Sequence, residues 1–462
     1  MPRAGAITAI GLPDPKVPGF HFPETEATVL TWVQQSNSGT PAAAAATANI
    51  TTHGWGLWTA ITMPTSQIDS GERLRVFETW FTPQEIDIPP GGVSLSPLTL
   101  MVAPRRRPPL GNFAQFEHGL EPRDRNLLVQ QNGSETVFGY VKFDPTAADH
   151  VIKQNLLNVA TLNQLMDGGA AQIPVFPNTA VTLKSAFQII SAKGLVQGRY
   201  YRLNVWSGPP ATPQAYPPYL WPGVVWVDVM GGGGGNGQID MEASTDGGTR
   251  TEQTTYPVAS FINHRLSAFE AAEFNKGQPG SNVAAGDYAI LVAMHVAGRE
   301  IARWTWQTFW WSPTPDNPQL PSSQAVAALR PAQLVGAPRH YAMAIGYDML
   351  SPSQPNVGGQ NVGSGLYIYN PYLEARFGPV QLPDSLPGND PDGSPSPNNN
   401  GVQCNCMSCH IRANYNPGNL ATAPRYSGAR YTDLNDPQFA GTLQVDLLWS
   451  LPEIASGKGP QG

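Results

Sequence analysis

The sequence predicts a mainly β protein: a β-sandwich or jelly-roll-like body with a few inserted helices and a C-terminal loop segment. Three observations carry this. Gly contributes 47 and Pro 46 of the 462 residues, a density of turn formers that calls for many loops. Between them lie short runs of β-branched and aromatic residues, the composition of half-buried strands. Segments with helical periodicity are few.

Composition bounds the rest. Twelve Trp, sixteen Phe and fifteen Tyr bury large areas and argue against disorder. Charged residues are only 13% of the chain and the net charge is −7, which gives no basic stripe for nucleic acid. No run of 18 apolar residues exists, so no transmembrane segment is expected. Composition shifts divide the chain into a Pro- and Ala-rich segment (1–49), a β-rich body (50–378) that has room for two sandwich units, a Pro- and Asn-rich linker (379–403) and a C-terminal segment (404–462).

In chain order, Ala27–Gln34 reads as helix or strand. Ile50–Ile61 is aromatic, β-branched and punctuated by Gly, and Leu74–Phe81 alternates as a half-buried strand does. Arg105-Arg106-Arg107-Pro108-Pro109 reads as a solvated basic turn rather than a docking site. Val137–Phe143 reads as a strand. Asp144 as N-cap, Pro145 at the first helical position and Gly168-Gly169 beyond the end predict a helix over 146–166. Strands follow at Ala180–Ile190, Tyr200–Trp206 and Val224–Met230. Gly231–Gly235 lacks a phosphate-loop signature and reads as a flexible surface loop. Ser260–Asn275 reads as an amphipathic helix. Tyr288–Val296 and Ile301–Trp311 form the most apolar stretch, with Trp304, Trp306, Phe309, Trp310 and Trp311 read as core rather than as a stacking platform. Further strands are expected at Tyr341–Tyr347 and Leu366–Tyr369, and a docked strand at Gly441–Ser450.

The chemistry concentrates at one place. All three cysteines fall within Cys404-Asn405-Cys406-Met407-Ser408-Cys409-His410. Cys406-x-x-Cys409-His410 is the pattern of c-type haem attachment: two thiols at fixed spacing take one porphyrin's vinyl groups, and the adjacent imidazole takes the iron. A zinc site of Cys404, Cys406, Cys409 and His410 would crowd four ligands into seven residues. A thioredoxin-type pair lacks its βαβ surroundings, and a plain disulfide is the third alternative. One covalently bound haem c is the reading adopted, with Cys404 left as an odd thiol.

A small cytochrome domain takes a Met ligand well downstream of this motif, yet the 52 residues after His410 contain neither Met nor His. A distal ligand must come from upstream, or the sixth position stays open. The choices are His21, His53, His118, His150, His264, His295, His340, Met343 and Met349. His53, among Gly54, Trp55, Gly56 and Trp58, is preferred, because small and aromatic neighbours permit close approach of a porphyrin. His150 is expected to face solvent.

His53-Gly-Trp-Gly-Leu-Trp58, Phe77-Glu-Thr-Trp80, Trp304-x-Trp-Gln-Thr-Phe-Trp-Trp311, Tyr369-Asn-Pro-Tyr-Leu-Glu374 and Asn405-Cys-Met-Ser-Cys-His410 together resemble large bacterial secreted proteins of the cytochrome c family. The resemblance spans about residues 50 to 450. It implies a monohaem protein outside the cytoplasm and names no substrate. Residues 1–7 show no apolar leader core, so a periplasmic or secreted location predicts that this is a mature or trimmed form.

Three functions follow. The first is an electron-transfer cytochrome, served by a redox partner protein or a small-molecule donor or acceptor. The second is a peroxidase- or oxidase-like haem enzyme with an open distal position. The third is a binding module in which exposed Trp rows do the work and haem is auxiliary; it requires the Trp side chains of 304–311 to be exposed.

Overall fold

The computed structural model describes residues 7–87, 105–111, 137–241, 250–348, 356–357, 360–361, 367–378, 400–417 and 433–455. Of the linker read over 379–403, residues 379–399 lie outside them. The elements in order are α1 (Glu26–Ser36), α2 (Ala42–Thr62), β1 (Pro64–Asp69), β2 (Glu72–Arg75), α3 (Pro83–Ile86), β3 (Phe138–Phe143), α4 (Pro145–Lys153) and α5 (Val159–Asp167). They continue with β4 (Val181–Ile190), β5 (Tyr200–Asn204), β6 (Val224–Asp228), β7 (Thr255–Pro257), β8 (Asn263–Arg265), α6 (Ala268–Gly277), β9 (Tyr288–Gly298), β10 (Thr305–Trp311), α7 (Gln324–Ala328) and β11 (Tyr341–Tyr347). Last come β12 (Asn356–Val357), β13 (Gln360–Asn361), α8 (Cys406–His410), β14 (Asn414–Tyr415), β15 (Leu443–Gln444) and α9 (Ser450–Ala455).

The body is built on one six-stranded antiparallel sheet in the order β11-β10-β9-β4-β3, with β8 continuing alongside β9. A smaller sheet, β5-β6-β7, lies apart from it. Antiparallel sheets with inserted helices are therefore present, as the sequence implies. The expected sandwich is not what the described residues show, because one face of the main sheet is covered by a helix.

Register defines the two faces. Directly paired residues share a face, and successive residues alternate. Val141, Lys184, His295 and Thr308 form one rung across β3, β4, β9 and β10, and Phe143, Thr182, Ala297 and Trp306 form the rung two residues along. Both rungs are on one face. Gln307, Phe309, Met343, Ile345 and Tyr347 point the other way, and α2 covers them: Trp58 stacks on Phe309 at 4.2 Å, and His53 Nδ1 meets the Tyr347 hydroxyl at 2.6 Å.

Helix α2 is the largest departure from the sequence reading, which places Ile50–Ile61 at the start of the β-rich body. Every residue of that run except Thr52 is buried, and a helix surrounded by apolar contacts on all sides shows no amphipathic stripe to read. Its threonines are accommodated by hydroxyls bonding back one turn, Thr51 to the Thr47 carbonyl, Thr59 to Trp55 and Thr62 to Trp58. Its glycines permit close approach rather than break the helix. A Cβ on Gly54 would stand 3.0 Å from Met343 Sδ and 3.1 Å from Ile345 Cδ1.

Other differences are smaller. The helix expected over 146–166 is two helices, α4 and α5, separated at Asn155, whose φ is +52°. Ser260–Asn275 divides into a turn, β8 and α6, with Ser267 capping α6 in a capping box with Glu270. Leu74–Phe81 leaves β2 for a short 3₁₀ turn. The basic turn is solvated only at Arg106: Arg107 is buried against Glu78 at 2.9 Å, and Arg105 lies over the Phe81 ring at 3.9 Å. Gly234 and Gly235 are tied by backbone bonds to Glu252 and Thr255. Trp304, Trp306, Phe309, Trp310 and Trp311 are all buried, so they are core, as expected.

Candidate functional site

The C-x-x-C-H motif sits on the sheet face opposite α2. Ile368 pairs with it: the Ile368 amide donates to the Cys404 carbonyl and the Cys406 amide donates to the Ile368 carbonyl, each at 3.0 Å. Asn405 then caps α8, its side chain accepting from the Met407 amide at 2.9 Å. Cys406 and Cys409, three residues apart in this single turn, fall on one side of it.

The chain enters the motif through a tight contact. A Cβ on Gly401 would lie 1.6 Å from the Glu374 carbonyl oxygen and 2.6 Å from its carbon, and both obstructing atoms are backbone. Gly401→Ala is expected to lower stability by about 3 kcal/mol, because neither segment can yield without breaking its own bonds. Urea unfolding measures this; a midpoint within error of wild type would show that the two segments separate freely.

His410 is oriented from the tail. Its Nδ1 donates to the Leu447 carbonyl at 2.8 Å, which fixes the tautomer and leaves Nε2 to act as a ligand. Its ring lies 4.4 Å from that of Trp306. Burial holds its pKa down to about 4, so the imidazole is neutral, the form that binds metal.

The carbonyl that receives His410 comes from unusual backbone. Asp446 and Leu447 both adopt left-handed φ, +48° and +66°, a conformation that non-glycine residues keep only where surroundings enforce it. The Asp446 carboxylate supplies the enforcement, accepting from Arg299 Nε at 2.9 Å, the Phe176 amide at 3.0 Å and Trp304 Nε1 at 3.3 Å. Asp446→Ala removes all three bonds and leaves Arg299 without its carboxylate. The expected loss is about 3 kcal/mol, read by thermal or urea unfolding. A loss below about 0.5 kcal/mol, typical of a surface change, would mean that the tail does not depend on this anchor.

These pieces close on a cavity of about 1180 Å³, counting its open mouth. Its walls include Trp306, Phe377, Leu448 and Ile454, all three cysteines, His410, His295, Lys184, Glu374 and Glu453. The three cysteines are unpaired thiols, and burial raises the pKa of each. Among the described residues no group of three or more His, Cys, Asp or Glu is placed to hold a metal ion, so the zinc reading of this motif finds no support.

The structure does not bring His53 to this cavity. His53 lies on α2, across the sheet, with Nδ1 on Tyr347 and Nε2 on Glu300 Oε1 at 3.0 Å. Both ring nitrogens are engaged and the sheet intervenes. Met343 shares that face. His21 is exposed, His264 pairs with Glu270 at 3.2 Å, and His340 is half-buried away from the cavity. His150 is half-buried rather than solvent-facing, with Nε2 2.9 Å from the Pro174 carbonyl. His118 and Met349 lie outside the described residues.

His295 alone among the described upstream histidines lines the cavity. Sequence reading includes it without preferring it. The available signal was its place as the one ionisable side chain within Ala289–Gly298 of a central strand. Lys184 and Glu374 were missed as cavity residues; Lys184 lies in the rung beside His295, and burial brings its pKa down to about 8.

No family model, curated protein or solved structure matches the chain. No helix among the described residues is long and apolar enough to cross a membrane.

Proposed function

We propose that the protein is an extracytoplasmic monohaem c-type cytochrome that passes single electrons. One observation carries the reading: both thiols of C-x-x-C-H and its histidine border one cavity, with His410 turned by the Leu447 carbonyl so that Nε2 is available. The fit extends to the walls, since a mostly apolar cavity with a few polar groups suits a porphyrin with carboxylate side chains. Cys406 and Cys409 would hold the haem through thioethers and His410 would be the proximal ligand. Bound haem supplies a one-electron iron couple.

This chain's own residues position and shield. Trp306 packs on His410, Asp446 holds the backbone that orients it, and Phe377 and Leu448 keep water from the inner wall. Cys409, His410 and Trp449 are half-buried, which leaves this edge of the site near solvent for a redox partner protein or a small-molecule electron donor or acceptor. A periplasmic or secreted location accompanies the reading, because covalent haem attachment in bacteria takes place there. The binding-module alternative loses its support, since the Trp side chains it needs are buried.

An absorption spectrum of the purified protein, oxidised and reduced, tests the proposal. Haem bands that persist in denatured, solvent-extracted protein are expected. Protein made with a functioning haem-attachment system and carrying no such band would sink it.

A further inference from the structure

We infer that His295, positioned by Glu374, supplies the second nitrogen to the haem iron and makes it six-coordinate; this rests on the haem reading above. His295 and His410 are the histidines that line the cavity among the described residues. His295 is 6% exposed and rises from the sheet face that floors the site.

Its partners divide its two nitrogens. Nε2 lies 2.8 Å from Glu374 Oε1, so with the carboxylate ionised Nε2 carries the proton and donates. The carboxylate is itself fixed, its Oε2 accepting from the Asn370 amide at 2.6 Å. Asn370 in turn donates through Nδ2 to Thr308 Oγ1 and the Phe309 carbonyl, each at 2.8 Å. Thr308 is the residue directly opposite His295 on β10. The chain of bonds thus returns to the same rung of the sheet, and the imidazole has little freedom to turn.

Nδ1 is left with a lone pair, buried and without a hydrogen-bond partner among the described residues. A buried acceptor left bare costs roughly 1–3 kcal/mol, so the site expects something that takes a lone pair. A histidine of the cavity wall that donates one ring N–H to a fixed carboxylate while its other nitrogen is buried and unbonded is the arrangement of a metal ligand with its orienting partner. His53 shows the contrast, with both nitrogens bonded inside the protein.

The test uses the full-length protein carrying its attached haem. His295→Ala is expected to retain haem on a denaturing gel while its spectrum changes from low-spin to high-spin, and added imidazole is expected to restore the low-spin spectrum. Rescue of that kind does not follow from a merely structural role. A wild-type protein that is already high-spin, or a variant with an unchanged spectrum, would overturn the inference while leaving the haem reading intact. Absence of haem from the wild-type gel would instead remove the haem reading itself.

Should His295→Ala fail to fold, His295→Met, closer in volume, keeps the question open to test. Met in place of a second His raises the midpoint potential, and an unchanged potential would overturn the assignment. Glu374→Gln weakens the bond that makes the imidazole electron-rich, so its potential is also expected to rise; no change there would remove Glu374 as a positioning residue.

Discussion

Replacing Cys406 and Cys409 together by alanine is expected to abolish covalent haem completely. Each thiol can form one thioether, so the double variant retains none, whereas either single variant keeps one. Haem-dependent peroxidase staining of a denaturing gel reads this directly: a band in wild type and in each single variant, and none in the double. A haem band that survives both substitutions would place the attachment elsewhere and end the cytochrome reading. Stability should fall as well. A group that binds only the folded chain contributes to folding by mass action, and its loss leaves a largely apolar pocket against Trp306 and Phe377. The double variant is therefore expected to melt earlier than wild type, and wild type prepared without haem should melt like the double variant.

The second large effect is expected on the opposite side of the sheet. Trp58 is fully buried, stacked on Phe309 at 4.2 Å and 17° and tilted against Tyr341 at 5.0 Å. Its indole N–H donates to the Pro338 carbonyl at 3.0 Å. Trp58→Ala removes one of the two buried Trp side chains that α2 packs against Phe309, and such truncations cost roughly 3–5 kcal/mol. The cost comprises lost burial, the lost ring stack and a carbonyl left without its donor. Chemical unfolding monitored by circular dichroism checks this, and a loss under about 1 kcal/mol would mean that α2 repacks. Because α2 and the motif lie on opposite faces, the folded variant should retain covalent haem. The two substitutions separate what holds the body together from what would hold the proposed haem.

The same division explains how much the sequence reveals. C-x-x-C-H is a local pattern, since its chemistry needs two thiols and an imidazole in one turn. The structure shows that turn, capped by Asn405 and facing a cavity. The strands β4, β9, β10 and β11 were likewise legible, because long β-branched and aromatic runs bounded by turn residues leave little alternative. The Trp-rich run reads as core for its bulk, and it is core.

What the sequence could not decide was which side of the sheet each residue occupies. His53 drew attention through its neighbours, yet those same Gly and Trp residues serve a buried helix. Burial on all sides erased the periodicity that would have revealed it. His295 carries no local signal beyond being ionisable in an apolar strand. Its relevance comes from strand register, which places it beside Lys184 and Thr308, and from Glu374, 79 residues away in the chain. The Asp446–Leu447 turn is equally silent, since its left-handed backbone depends on bonds from Arg299, Phe176 and Trp304. The sequence by itself determined the C-x-x-C-H motif of Cys406, Cys409 and His410 on which the proposed haem attachment rests, because that spacing is short-range chemistry. Only the tertiary structure decided what faces them across the cavity, because sheet register and layer order are set by contacts between residues far apart in the chain.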